Sequence, residues 1–150
     1  MSIREFTMDD YDAAFALWQN AGPGLGIGRS DTCGEIMRKL RYAPDLFLVA
    51  EESGPERSRR IIGTVIGGYD GRRGIVYHLA VEQSYRGNGI GKMLMTEIEK
   101  RLAAKGCVKA YLLVVPDNTD VIEFYRRIGW DMMPVTPMGK TLIEIPKETC

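Results

Sequence analysis

The chain has 150 residues, 45% of them hydrophobic, with 20 Lys and Arg set against 20 Asp and Glu. That length fits one domain with a real core, and the apolar fraction excludes a disordered chain. Balanced charge argues against a bulk nucleic-acid or membrane-surface binder, while leaving room for a local basic pocket.

Ser2 to Phe6 reads as a short strand. Thr7 then reads as an N-cap with Asp9 and Asp10 in the first turn. Tyr11, Ala14, Phe15 and Trp18 at helical spacing carry a helix to about Asn20. AGPGLGIGR, Ala21 to Arg29, breaks it, and its spaced glycines follow no strand, so they read as a mobile loop. Ser30 or Asp31 caps a second helix that buries Ile36, Met37 and Leu40 and ends at Pro44. DLFLVAEE and RIIGTVIGGYD, on either side of the charged turn SGPERSR, form a hairpin pattern. GIVYHLAV, Gly74 to Val81, is a further strand whose near-continuous apolar character predicts cover on both faces. Ile90, Met93, Leu94, Ile98 and Leu102 trace one face of a helix that stops near Gly106. VKAYLLVV reads as another buried strand, followed by a helix from about Asn118 with Val121, Ile122, Tyr125 and Ile128 on one side. Trp130 to Met133 and Lys140 to Ile145 read as a closing strand pair. The order β-α-α-β-β-β-α-β-α-β-β is α+β, or mixed α/β, in one domain over residues 1–150. It lacks the regular alternation of a doubly wound fold.

Cys33, Cys107 and Cys150 are odd in number and far apart. Neither a disulfide framework nor a zinc knuckle is expected, Cys33 and Cys107 read as packed thiols, and no metal site is read. A reduced cytoplasmic setting is the simplest reading. The acidic start MSIREFTMDD does not read as a signal peptide, and no apolar run is long enough to span a bilayer.

The stretch SYRGNGIGKML, Ser84 to Leu94, carries the chemistry. A P-loop would need Gly where Arg86 stands and Ser or Thr where Met93 stands, and a dinucleotide fingerprint would need Gly in place of Lys92. What remains is Arg-x-x-Gly-x-Gly between a buried strand and an amphipathic helix. Backbone N–H groups around Gly87 to Lys92 can converge on anionic oxygens, with the helix dipole pointing the same way. Arg86 and Lys92 could add charge. On the residues alone, an unliganded strand-to-helix turn explains the glycines as well.

LAVEQSYRGNGIGKMLM, Leu79 to Met95, followed by VPDNTDVIEFYRRIGW, Val115 to Trp130, resembles the GCN5-related N-acetyltransferases (GNAT), in particular small bacterial members near the ribosomal-protein alanine acetyltransferases. The resemblance implies the family's acyl-CoA fold over essentially the whole chain: a mostly antiparallel sheet, splayed at its central strands and flanked by about four helices. It implies acetyl-CoA as cosubstrate and an amine-bearing acceptor, either a small molecule or the N-terminus or a lysine of a protein. Leu79, Ala80 and Val81 would offer backbone groups to the pantetheine arm and the acetyl carbonyl. Arg86, Gly87, Asn88, Gly89, Ile90, Gly91 and Lys92 would hold the diphosphate. Asn118 would bond the pantetheine, and Tyr125 would protonate the departing thiolate. By residue type alone, Asn118 is equally a helix N-cap and Tyr125 a ring packed on a sheet.

Some relatives place a Glu where Leu113 stands here, and Leu cannot titrate. The resemblance implies that Ile75 and Tyr77, before a bulge in this strand, face the acceptor; strand parity then leaves His78 on the other face, which disfavours His78 as a base and leaves Asp31, Glu35 and Glu82 acting through water. Met132, Met133, Pro134 and Pro137 suggest an apolar pocket wall, or alternatively a packed hairpin end or homodimer contact. A non-catalytic acyl-CoA sensor is the alternative to an enzyme, and an interaction protein retaining only the fold is a third reading.

Overall fold

The computed structural model describes residues 1–22 and 24–145. One five-stranded sheet in the order β1-β2-β3-β4-β5 organises the chain. Its strands are β1 (Ser2–Glu5), β2 (Phe47–Ser53), β3 (Arg59–Tyr69), β4 (Gly74–Val81) and β5 (Ala110–Tyr111). The first four pair antiparallel and β5 joins β4 in parallel. The helices are α1 (Tyr11–Gln19), α2 (Cys33–Tyr42), α3 (Ile90–Ala104) and α4 (Thr119–Arg127).

Alternation along β2 divides the core in two. Leu48 and Ala50 face α3, joining Ile62, Val76, Leu94, Met95, Ile98 and Leu102. Phe47 and Val49 face α1 and α2, joining Ala14, Leu17, Trp18, Ile36 and Ile66. Strand β2 is therefore the one covered on both faces. The expectation of full cover for Gly74 to Val81 is corrected, because Ile75 and Tyr77 are 41% and 36% exposed. The face of β4 toward α1 and α2 is open where those two residues stand.

The start of α1 is fixed electrostatically. Thr7 donates its backbone N–H to Asp10 Oδ2 at 2.9 Å, and Arg4 bridges Asp10 at 2.8 Å and Glu51 at 3.0 Å. Burial pushes the Asp10 carboxyl up, but Arg4 and the Thr7 N–H outweigh it and hold the group below its ordinary value. A lowered folded pKa stabilises the fold at neutral pH, and that contribution is lost as pH falls through the folded value. Arg4→Met should therefore lower stability by about 2–3 kcal/mol at neutral pH and by less in acid, where the carboxyls protonate. Urea unfolding at the two pH values checks this; a pH-independent loss would leave Arg4 a packing role alone.

Several expected elements differ. Helix α2 is capped by Thr32, whose Oγ1 accepts from Glu35 N at 3.3 Å, and not by Ser30 or Asp31. Residues 29–31 form a 3-10 turn that frees the Asp31 side chain for other partners. The buried strand expected over Val108 to Val115 shrinks to Ala110–Tyr111, with Val108 88% and Leu113 70% exposed. The closing pair at Trp130–Met133 and Lys140–Ile145 carries no strand among the described residues. An apolar alternating run nominates a strand, but only a hydrogen-bonding neighbour makes one. The β4–β5 ladder ends at Ile75↔Tyr111, so the chain beyond has no neighbour to join. Cys33 is buried and Cys107 is a free thiol. Cys150 lies outside the described residues. No helix among the described residues is long and apolar enough to cross a membrane.

Candidate active site

Strand β4 runs through a 3-10 turn, Gln83–Tyr85, into Arg86–Gly89 and then α3. Gly87 and Gly89 take φ of +80° and +79°, and a Cβ added to either meets nothing within 4 Å. These glycines therefore answer a backbone requirement beside open space. The N–H groups of residues 87–92 find no acceptor among the described residues, and the first closed bond is Met93 N to Gly89 O at 3.0 Å. Six adjacent donors at the positive end of a 15-residue helix make an anion cradle.

The cradle is fastened from behind. Asn88 Nδ2 donates to Tyr85 O at 3.1 Å, and the Tyr85 hydroxyl donates to Glu52. Arg86 Nε donates to Val81 O at 3.1 Å and its Nη2 to Ala21 O at 3.2 Å. The Arg86 guanidinium thereby ties the loop to β4 and to the end of α1. Lys92 is exposed at the helix start.

Above the cradle the sheet opens. Pairing between β4 and β5 covers only Gly74↔Ala110 and Ile75↔Tyr111. Glu82 donates its N–H to Ile62 O at 2.8 Å. Because backbone groups alternate between edges, those of Leu79 and Val81 turn to the edge that β5 has left. Those of Ala80 turn to β3, opposite Thr64, and its methyl is buried toward Trp18, so Ala80 departs from the role expected of it.

The β3–β4 register moves from Thr64↔Ala80 to Ile66↔Tyr77, which places one extra residue in β4. That bulge holds His78 at φ +51°. Thr64 Oγ1 donates to His78 O at 2.9 Å and accepts from Trp18 Nε1 at 2.9 Å. His78 Nε2 lies 2.7 Å from Asp31 Oδ1, and its ring meets Trp18 edge to face at 4.8 Å. The parity argument that put His78 on the far face is overturned, since the inserted residue swings it to the α1 and α2 side, beside Tyr77 at 5.5 Å. Asp31 Oδ2 accepts from Gly28 N at 2.8 Å, and its carbonyl accepts from the Tyr11 hydroxyl at 2.8 Å. Loss of solvent, then the Asp31 charge, pushes the Tyr77 phenol up to about 12.

Helix α4 supplies the opposite bank. Asn118 caps it through its carbonyl, which accepts from Ile122 N at 3.1 Å, while its side chain makes no capping bond. Its Nδ2 comes within 2.5 Å of where a Gly24 Cβ would stand, so the loop between α1 and α2 touches the start of α4. Tyr125 packs edge-on to Trp130 at 6.3 Å, and Trp130 Nε1 is anchored on Glu99 Oε1 at 2.7 Å. Burial pushes the Tyr125 phenol up to about 12. Leu113, exposed, offers no base. Among the described residues no three His, Cys, Asp or Glu side chains converge on a metal position. A cavity of about 660 Å³ lies between Ala13, Ala16 and Leu17 of α1, Arg59–Ile61 of β3 and Val81–Gln83 at the end of β4. Its arginines are already paired with Asp10, Glu51 and Glu82.

This arrangement, a cradle of free N–H groups below a parted pair of strands, coincides with a sequence match to the Acetyltransferase (GNAT) family over residues 5–130. The chain belongs to that family. An acetyltransferase of Pectobacterium atrosepticum is 42% identical over 144 residues, covering 96% of this chain and 97% of its own. Among solved structures, Ard1 from Thermoplasma volcanium superposes with a TM-score of 0.74 at 23% identity, over 88% of this chain and 83% of its own. A Mycobacterium tuberculosis protein solved in complex with CoA gives 0.66 at 20% identity, over 91% and 76%. The five-stranded, mostly antiparallel sheet with four helices is the fold of these GNAT neighbours.

Sequence reasoning did not pair His78 with Asp31, 47 residues earlier. One signal was available: His is among the few non-glycine residues enriched at positive φ.

Proposed function

We propose that this GNAT chain, as one domain over residues 1–150, binds acetyl-CoA and transfers the acetyl group directly to a primary amine. The cradle of free N–H groups from Gly87 to Lys92 carries the reading. The diphosphate would sit there, and the pantetheine arm would run along the edge that β5 has left, bonding to Leu79, Val81 and Asn118. The acetyl carbonyl would lie at the Leu79 N–H, a fixed donor for the oxyanion that forms on attack. The acceptor amine would approach over Tyr77 and Ile75, the open patch of β4.

Tyr125 would face the sulfur. A phenol near 12 stays protonated throughout the working range, so it is always a donor. Handing its proton fully to a thiolate of ordinary basicity, near 8.5, would cost about 5 kcal/mol. Its role is a hydrogen bond to the departing sulfur, with the proton arriving from solvent. Tyr125→Phe should lower kcat about 10–100-fold with CoA affinity unchanged. Equal turnover would remove Tyr125 from the mechanism.

The test of the whole reading is thiol release from acetyl-CoA with a panel of amines: peptides with a free N-terminus, lysine peptides, polyamines and amino sugars. Turnover with any of them supports transfer. Saturable CoA binding with no turnover on the panel would favour a sensor module instead.

A further inference from the structure

We propose that His78 and Asp31 form the proton-accepting pair for the acceptor amine. The proposal rests on the acetyl-transfer reading above. Leu113, beyond the end of β5, supplies no base, and an ammonium acceptor must lose one proton to free its lone pair before attack and a second as the amide forms.

The geometry supplies the missing group. His78 immediately precedes Leu79, whose N–H faces the parted edge, and the bulge carries its ring to the side from which an amine approaches. Nε2 is 2.7 Å from Asp31 Oδ1. An anionic Asp31 fixes the proton on Nε2 and leaves the lone pair on Nδ1, which has no partner among the described residues. Asp31 is itself held by the Gly28 N–H and is 5% exposed, so its charge is confined beside the ring. The groups facing the pair are Asp31 from the turn before α2, Tyr77 from β4, Tyr11 and Trp18 from α1, and Thr64 from β3. Asp31 is the single carboxylate among them, and none is cationic.

A purely structural anchor does not need an imidazole. The bulge is already pinned at its carbonyl by Thr64, and asparagine or glycine adopts positive φ at less strain. The step balances simply. An ammonium acceptor first gives one proton to solvent; the neutral amine nitrogen then bonds the acetyl carbon, its surplus proton passes to His78 Nδ1, and the C–S bond breaks with its electron pair going to sulfur. The thiolate then takes a proton from solvent, and His78 returns its own to solvent, giving the N-acetyl amine and CoA thiol.

His78→Asn tests this, because asparagine tolerates the positive φ of the bulge but cannot accept the proton. With acetyl-CoA and the free-N-terminus peptide, lysine peptide and spermine as acceptors, kcat/KM should fall at least 100-fold. CoA affinity should stay within about twofold, and the acid limb of the pH profile should vanish. In His78→Gly, added imidazole should restore part of the rate, which decides the matter should the asparagine variant not fold. Wild-type kcat/KM with an unchanged pH profile in His78→Asn, or no rescue of His78→Gly, would overturn the pair while leaving acetyl transfer intact. No turnover by the unmutated protein would overturn both.

Discussion

Gly89→Glu is expected to weaken CoA binding at least 1000-fold, read by calorimetric titration. Two effects combine. Gly89 sits at φ +79° at the start of α3, where any L-residue is strained by about 1–2 kcal/mol. That strain alone would leave the protein folded, since nothing within 4 Å of the new Cβ resists it. The larger effect is electrostatic and steric. A carboxylate on a short stem beside the free N–H groups of residues 87–92 becomes the anion those groups hold. The diphosphate would then have to displace it against like charge. Thermal unfolding separates the two effects: a drop of a few degrees with binding abolished is the expected pair of results. Unchanged affinity would place the diphosphate elsewhere and dismantle the reading of the cradle.

The cradle was legible in the sequence because it is made of backbone. Glycines at positions 87 and 89 announce a conformation, and the conformation presents the N–H groups. The same holds for α1, for the β2–β3 hairpin and for α3 apart from Met93, expected on its buried face but 46% exposed, while Met95 is buried instead. Side-chain destinations were less legible. Arg86 looks like a phosphate ligand in a linear reading, and nothing in that reading foretells its bonds to the carbonyls of Val81 and Ala21. His78 was misplaced for a sharper reason. Parity predicts faces only while the strand keeps two-residue periodicity, and one inserted residue reverses it. The insertion depends on β3, where Thr64 donates to the His78 carbonyl while accepting from Trp18 of α1, and no local pattern in GIVYHLAV records that. The run from Val108 to Val115 failed for the complementary reason: its own pattern is right, and its neighbour bends away.

Trp18→Ala is expected to be the most damaging single change to stability among those considered. Trp18 is 1% exposed and packs on Phe47, Phe15 and His78. Removing so large a buried ring costs about 3–5 kcal/mol, which for a chain of this length lowers Tm by roughly 8–16 °C. The consequence for catalysis is separate. Trp18 Nε1 orients Thr64, and Thr64 Oγ1 holds the His78 carbonyl, so the indole is the base of a chain that ends at the bulge. Losing it frees Thr64 to rotate and relaxes the φ of +51° at His78, which turns the Leu79 N–H from its setting. Ile98→Ala serves as the comparison. Ile98 is fully buried against the other face of the sheet, and its loss should cost about 2–5 kcal/mol without touching that chain. Assayed well below both melting points, Trp18→Ala should lose turnover while Ile98→Ala keeps it. Equal activity in the two variants would show that the bulge holds its shape without the indole, and that Trp18 serves the core alone.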